Sequence, residues 1–108
     1  MVNIVQKSGT IQPVINKLIE CISAFPSVQK VILYGSRVKG THNAFSDIDI
    51  AVVGVKDRRE WLRIHCLADV EDNRVRTLLK IDLVQFEHVD PLVQQSIMEE
   101  GQILYERC

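Results

Sequence analysis

The stretch that decides the fold is Gly35-Ser36-Arg37-Val38-Lys39-Gly40, then the polar run 41–46, then Asp47-Ile48-Asp49-Ile50. Just before it, Val31-Ile32-Leu33-Tyr34 is an unbroken apolar run that reads as a strand buried on both faces, within Val28–Tyr34. That strand ends at Gly35-Ser36, a short helical turn through Arg37, Val38 and Lys39 follows, and Gly40 breaks it. Asp47–Val53 reads as a second strand, closing at Gly54. Side chains two apart on a strand share a face, so Asp47 and Asp49 point the same way, their Cα atoms roughly 6.5–7 Å apart. Ile48 and Ile50 then point to the opposite face, into a core.

Working outward, Ile11, Val14, Ile15, Leu18, Ile19, Ile22 and Phe25 recur at three- and four-residue steps, which predicts a helix near 11–25 with one apolar stripe. Thr10 caps it, Pro13 is tolerated in its first turn and Pro26 stops it. Downstream, an amphipathic helix is predicted from Asp57 to about Arg74, with Trp61, Ile64, Leu67, Ala68 and Val75 on its apolar side. Leu79–Phe86 reads as a third strand. Asp90-Pro91 is a helix start, an N-cap with proline at the first helical position. Gly101 ends that helix, and Gln102–Tyr105 adds a short edge strand. This order predicts an α/β fold: one mixed β-sheet flanked by helices.

A chain of 108 residues suffices for one domain and not for two, so residues 1–108 are expected to form a single domain. With a net charge of −1 and no basic stripe evident in the sequence, neither direct nucleic-acid binding nor attachment to an anionic membrane is expected. Small anionic ligands remain open, because a metal ion can supply the positive charge. Cys21, Cys66 and Cys108 are far apart and form no Cys-x-x-Cys pair. With no signal peptide and no membrane-spanning run, they are expected to be free thiols in a reducing, cytoplasmic setting, the first two as small buried apolar residues and Cys108 at a frayed end. His42, His65 and His88 lack metal-ligand spacing, so zinc is not expected. Tyr34 reads as core.

The third strand carries Asp82 between apolar neighbours, in Lys80-Ile81-Asp82-Leu83-Val84. Unpaired charge is rarely buried, so this acid needs a reason. If its strand lies beside the second one, Asp82 joins Asp47 and Asp49 in a three-carboxylate cluster. Like charges so close repel, which makes the cluster costly without metal. Carboxylate oxygen suits Mg²⁺, and two such ions sit about 3.5–4 Å apart in two-metal enzymes. Gly35-Ser36, where a strand passes into a helical turn, offers backbone N–H groups and a hydroxyl to phosphate. Arg37 and Lys39 are near enough to contact phosphate, or else are solvated surface charges. A Gly-Ser turn or an Asp-x-Asp strand alone is usually structural; in this order, with a third acidic strand, they point to chemistry.

Gly35-Ser36, ten intervening residues and Asp47-x-Asp49 resemble the signature of the minimal nucleotidyltransferases of the DNA polymerase beta superfamily, and the resemblance runs over nearly the whole chain. It implies that Asp47 and Asp49 are ligands to two Mg²⁺ ions and that Asp82 binds the ion activating the incoming hydroxyl. Gly35 and Ser36 become the triphosphate-binding pair, and the reaction is transfer of AMP from ATP to a hydroxyl acceptor. Larger members carry a further domain for the acceptor, whereas this chain ends soon after its last recognisable element. The acceptor platform is therefore missing, supplied by another chain, or the acceptor itself, and the resemblance favours the last two. The resemblance names that partner as a helical HEPN-domain toxin, adenylylated on a tyrosine by its antitoxin. Two alternatives stay open: a non-catalytic antitoxin acting by contact, and a small-molecule (aminoglycoside-type) transferase needing a second subunit.

Overall fold

The computed structural model describes residues 12–40, 48–66 and 81–107. Helix α1 spans Gln12–Ile22, strand β1 Lys30–Tyr34, helix α2 Ser36–Lys39, and strand β2 Ile48–Val53. Helix α3 spans Arg58–Cys66, strand β3 Ile81–Gln85, a 3₁₀ turn Phe86–His88, helix α4 Pro91–Glu100 and strand β4 Gln102–Glu106. The sheet order is β3-β2-β1-β4. Strand β1 is antiparallel to β2 and β4, while β2 and β3 run parallel, giving the expected mixed sheet.

Alternation along the strands sorts the side chains onto two unequal faces. Val31, Leu33, Ile48, Ile50, Val52, Ile81 and Leu83 form one face, packed with Val14, Ile15, Leu18 and Ile22 of α1 and Ile64 of α3. Ile48, Ile50 and Ile64 there are fully buried, each contributing about 1.5–3 kcal/mol. The opposite face is thinner: Ile32 and Ala51 pack with Ile97 of α4, and Tyr34, Val53 and Val84 are partly buried beside them.

Helix α1 ends earlier than its apolar period suggests, with turns from Ser23 onward. Pro26 disfavours helical geometry at Phe25 before it, so Phe25 leaves the helix yet still packs on the core. Arg107 fastens this turn to the end of β4. Its Nε donates to Val28 O at 2.8 Å, and Nη2 donates to Ser23 O at 3.0 Å and Phe25 O at 3.1 Å. The start of α4 follows its sequence signal, with the Leu92 N–H donating to Asp90 Oδ1 at 2.9 Å and Pro91 at the first helical position.

The predicted continuation of α3 through Leu67, Ala68 and Val75 lies outside the described residues, as do Thr10, Ile11, His42, Asp47 and Cys108. Cys21 and Cys66 are free, as expected, but Cys66 is exposed rather than buried. It follows the buried Ile64 by two residues, roughly 200° around the helix, which turns it to solvent. Among the described residues no helix is long and apolar enough to cross a membrane.

Candidate active site

Three strands bring one residue each to the same level of the thin face. Tyr34 on β1 pairs with Asp49 on β2, and Asp49 pairs with Asp82 on β3. Residues paired in register point to the same side of a sheet, on strands about 4.8 Å apart. The two acids therefore stand next to each other, β3 lying beside β2, the condition on which the sequence grouped them. Their chain neighbours Ile48, Ile50, Ile81 and Leu83 are buried on the sealed face, which fixes the outward direction of the acids. Asp49 is half-buried and Asp82 exposed. Asp47, the third predicted acid, lies outside the described residues.

The glycine turn touches this pair directly. Gly35 has φ +83°, a region that costs an L side chain roughly 1–2 kcal/mol. A Cβ placed on it would lie 2.5 Å from Asp49 Oδ2 and 3.3 Å from Asp49 Cγ. Only glycine lets the backbone lie this close to the carboxylate. Helix α2 then starts at Ser36, and the N–H groups of Val38 and Lys39 both donate to Gly35 O at 3.1 Å. A helix's first N–H groups have no partner within it, and here Ser36 and Arg37, placed by their backbone, supply them beside Asp49. Lys39 is turned elsewhere: its Nζ is 3.5 Å from Glu100 Oε1, an exposed pair that joins α2 to α4.

Tyr34, read from the sequence as core, is half-buried at the site. Its phenol is pushed up to about 12, first by burial and then by the negative charge of Asp49 and Asp82. The ring therefore stays neutral while sensing both acids. The available signal was alternation: Tyr34 is two residues from Ile32, on the face opposite Val31 and Leu33, and an antiparallel return brings it level with Asp49. His65 is exposed on α3, with ring centroid 6.0 Å from that of Trp61, and His88 is exposed in the 3₁₀ turn.

The donor set suits a hard divalent cation. Two carboxylates in register repel, and oxygen donors of this kind are what Mg²⁺ binds. Among the described residues no group of three or more such side chains is formed, since the third predicted member falls outside them.

The model of the family "Polymerase beta, Nucleotidyltransferase" matches residues 16–108. A chain in a crystal structure of a toxin–antitoxin with AMP-PNP is 28% identical, with a TM-score of 0.65 over 86% of this chain and 73% of that one. A chain in the structure of the tri-AMPylated Shewanella oneidensis HEPN toxin in complex with MNT antitoxin is 25% identical, with a TM-score of 0.61 over 89% of this chain and 72% of that one. A Sulfolobus solfataricus chain of known crystal structure, at 22% identity and TM-score 0.55, covering 86% of this chain and 78% of that one, shares the fold. No curated protein matches the sequence.

Proposed function

This chain belongs to the polymerase beta nucleotidyltransferase family, and from that premise we propose that it transfers AMP from ATP, with Mg²⁺, to a tyrosine hydroxyl of a HEPN-type partner, acting as the antitoxin of a cytoplasmic toxin–antitoxin pair. The observation that carries this reading is the register of Asp49 with Asp82, with Gly35 packed against the Asp49 carboxylate. It puts the two acids and the Gly35-Ser36 turn within one side chain's reach. The similarity to chains from a toxin–antitoxin with AMP-PNP and from an AMPylated HEPN toxin complex supports the nucleotide and the partner.

In this reading Gly35 and Ser36 bind the triphosphate through backbone N–H groups and the serine hydroxyl. Asp47 and Asp49 would hold the Mg²⁺ ions, with Asp82 as a further ligand on the acceptor's side. Such ions, when bound, would supply the positive charge that favours ionisation of the acceptor hydroxyl and offsets the charge of pyrophosphate. Asp82, the more exposed acid, faces the acceptor and is placed to take its proton. Arg37 contacts phosphate, and Lys39 does so on leaving Glu100. Residues 1–108 act as a single catalytic domain, and the partner supplies the acceptor.

The test uses purified protein, labelled ATP and the co-expressed partner, comparing the natural sequence with Asp47→Asn/Asp49→Asn. The expected result is label on the partner and loss of both label and neutralisation in the double variant. If neutralisation survives without label, contact suffices and the transfer reading fails.

A further inference from the structure

The outward side of α3 carries features the acidic centre does not use. Its sequence Arg58-Arg59-Glu60-Trp61-Leu62-Arg63-Ile64-His65-Cys66 buries only Ile64. Its single acid, Glu60, accepts a hydrogen bond from Ser27 Oγ. Arg58, Arg59 and Arg63 are exposed, and among the described residues none of them is in an ion pair. A basic face thus stands on a chain whose net charge is −1. Arg58 and Arg59 are adjacent in the sequence, and Arg63 joins them four residues after Arg59, one helical turn on.

Beside this face lies a cavity of about 530 Å³ between α3 and the end of β3. Trp61, Val84 and Val89 give it an apolar lining, and Arg58 and His88 line it with basic groups. Leu62, also lining it, is 53% exposed, a large apolar side chain without cover. Gln85 is already engaged, its Nε2 donating to Val55 O at 2.7 Å. By strand rise Val84, which lines the cavity, stands roughly 7 Å from Asp82 on the same side of β3, and neither Asp49 nor Asp82 lines the cavity.

We propose that this cavity docks an acidic segment of a partner protein, seating one apolar or aromatic side chain against Trp61, Val84 and Val89. The segment's carboxylates meet Arg58 and His88, with Arg59 and Arg63 flanking. Charge complementarity favours this occupant: guanidinium groups free of internal partners bind carboxylates in paired hydrogen bonds. Tryptophan and arginine beside an apolar pocket are the residues that most often dominate protein interfaces. Single-stranded nucleic acid fits less well, because successive bases need a run of stacking rings, and besides Trp61 the cavity offers one further ring, His88, among Leu62, Val84 and Val89. The docking is independent of the proposed transfer chemistry.

Trp61 is the sole tryptophan of the chain, so its emission reports occupancy directly. The full chain is titrated with a peptide of Asp and Glu around one central Phe, the same peptide with Gly at the centre, and an oligothymidylate of equal charge. The Phe peptide is expected to shift Trp61 emission saturably, with the Gly peptide at least tenfold weaker. Arg58→Glu and Leu62→Asp, both at exposed positions, should each weaken the Phe peptide at least tenfold while leaving the circular dichroism unchanged. Unaltered emission up to millimolar peptide, binding indifferent to both substitutions, or tighter binding of the oligothymidylate overturns the proposal.

Discussion

Replacing Gly35 by alanine tests the tightest contact of the candidate site, and Gly40 provides the control. Both glycines have positive φ, +83° and +80°. Alanine at either therefore carries the backbone cost of roughly 1–2 kcal/mol. They differ in what the new methyl meets. At Gly40 nothing among the described residues lies within 4 Å, whereas at Gly35 the Asp49 carboxylate oxygen is 2.5 Å away and must retreat by 0.9 Å to reach an ordinary 3.4 Å contact. Pairing on both sides holds the Asp49 backbone in place, so the carboxylate must give way by rotating about its own side-chain bonds, out of its place beside Asp82. Overpacking of this kind costs about 1–3 kcal/mol. Gly35→Ala should then lose about 2–5 kcal/mol in urea unfolding, against about 1–2 kcal/mol for Gly40→Ala. Displacing a reacting group by about 1 Å removes on the order of 10²-fold in rate. AMP transfer from labelled ATP should fall by that factor in Gly35→Ala and stay within severalfold in Gly40→Ala. Equal unfolding free energies and equal rates for the two variants would refute the contact between the turn and the acid.

Asp49→Asn should reduce transfer by at least ~10³, as expected if one lost ligand removes about 4 kcal/mol from the transition state; a drop below tenfold contradicts its role. The same variant should be as stable as the natural sequence, or more so, in metal-free thermal melts, because it relieves repulsion from Asp82, while no longer gaining stability from Mg²⁺–ATP. Tyr34 should ionise only near 12 in an ultraviolet tyrosinate titration, whereas an unfolded tyrosine does so near 10. The native state thus retains a proton that the unfolded state releases, so stability holds below about pH 10 and declines between about 10 and 12. Ionisation of Tyr34 near 10 would contradict its placement beside the two acids. Arg107→Ala removes three hydrogen bonds to carbonyls and should cost about 2–4 kcal/mol in urea unfolding. Lysine should not restore it, since one ammonium cannot reproduce the planar fork.

The acidic strands were legible because period-two alternation is a strong signal when one face is sealed. Ile48 and Ile50, fully buried, leave Asp49 no choice but the other side, and Ile81 and Leu83 do the same for Asp82. The N-cap at Asp90 was equally legible, because a short side chain and a following proline act locally. The end of α1 was less so: the apolar period continues to Phe25, and only the geometry imposed before Pro26 stops the helix. Lys39 escaped sequence reasoning because its partner Glu100 is far away in the chain, and such a pairing follows from how α4 returns across the sheet. The basic side of α3 escaped for the complementary reason. Arg58, Arg59 and Arg63 lie within six residues, but that they share an exposed side without ion-pair partners among the described residues follows only from which side of the helix Ile64 buries.

The unequal faces of the sheet also account for where the acids sit. Helices α1 and α3 pack on one face, where a carboxylate would have to be desolvated at a cost of several kcal/mol. Helix α4 covers the other only around Ile32 and Ala51, through Ile97. The level of Tyr34, Asp49 and Asp82 lies just past that cover, so Asp82 keeps its solvent and Asp49 half of it. A one-residue slip of β2 would bury Asp49 and expose Ile48 and Ile50, losing about 1.5–3 kcal/mol for each isoleucine before the charge is counted. Mutual repulsion between the acids, at about 0.2–1 kcal/mol for like charges directly opposite, is too small to overcome that. Apolar packing on the sealed face therefore holds two like charges together on the open one, and a cation bound there would find its ligands already aligned.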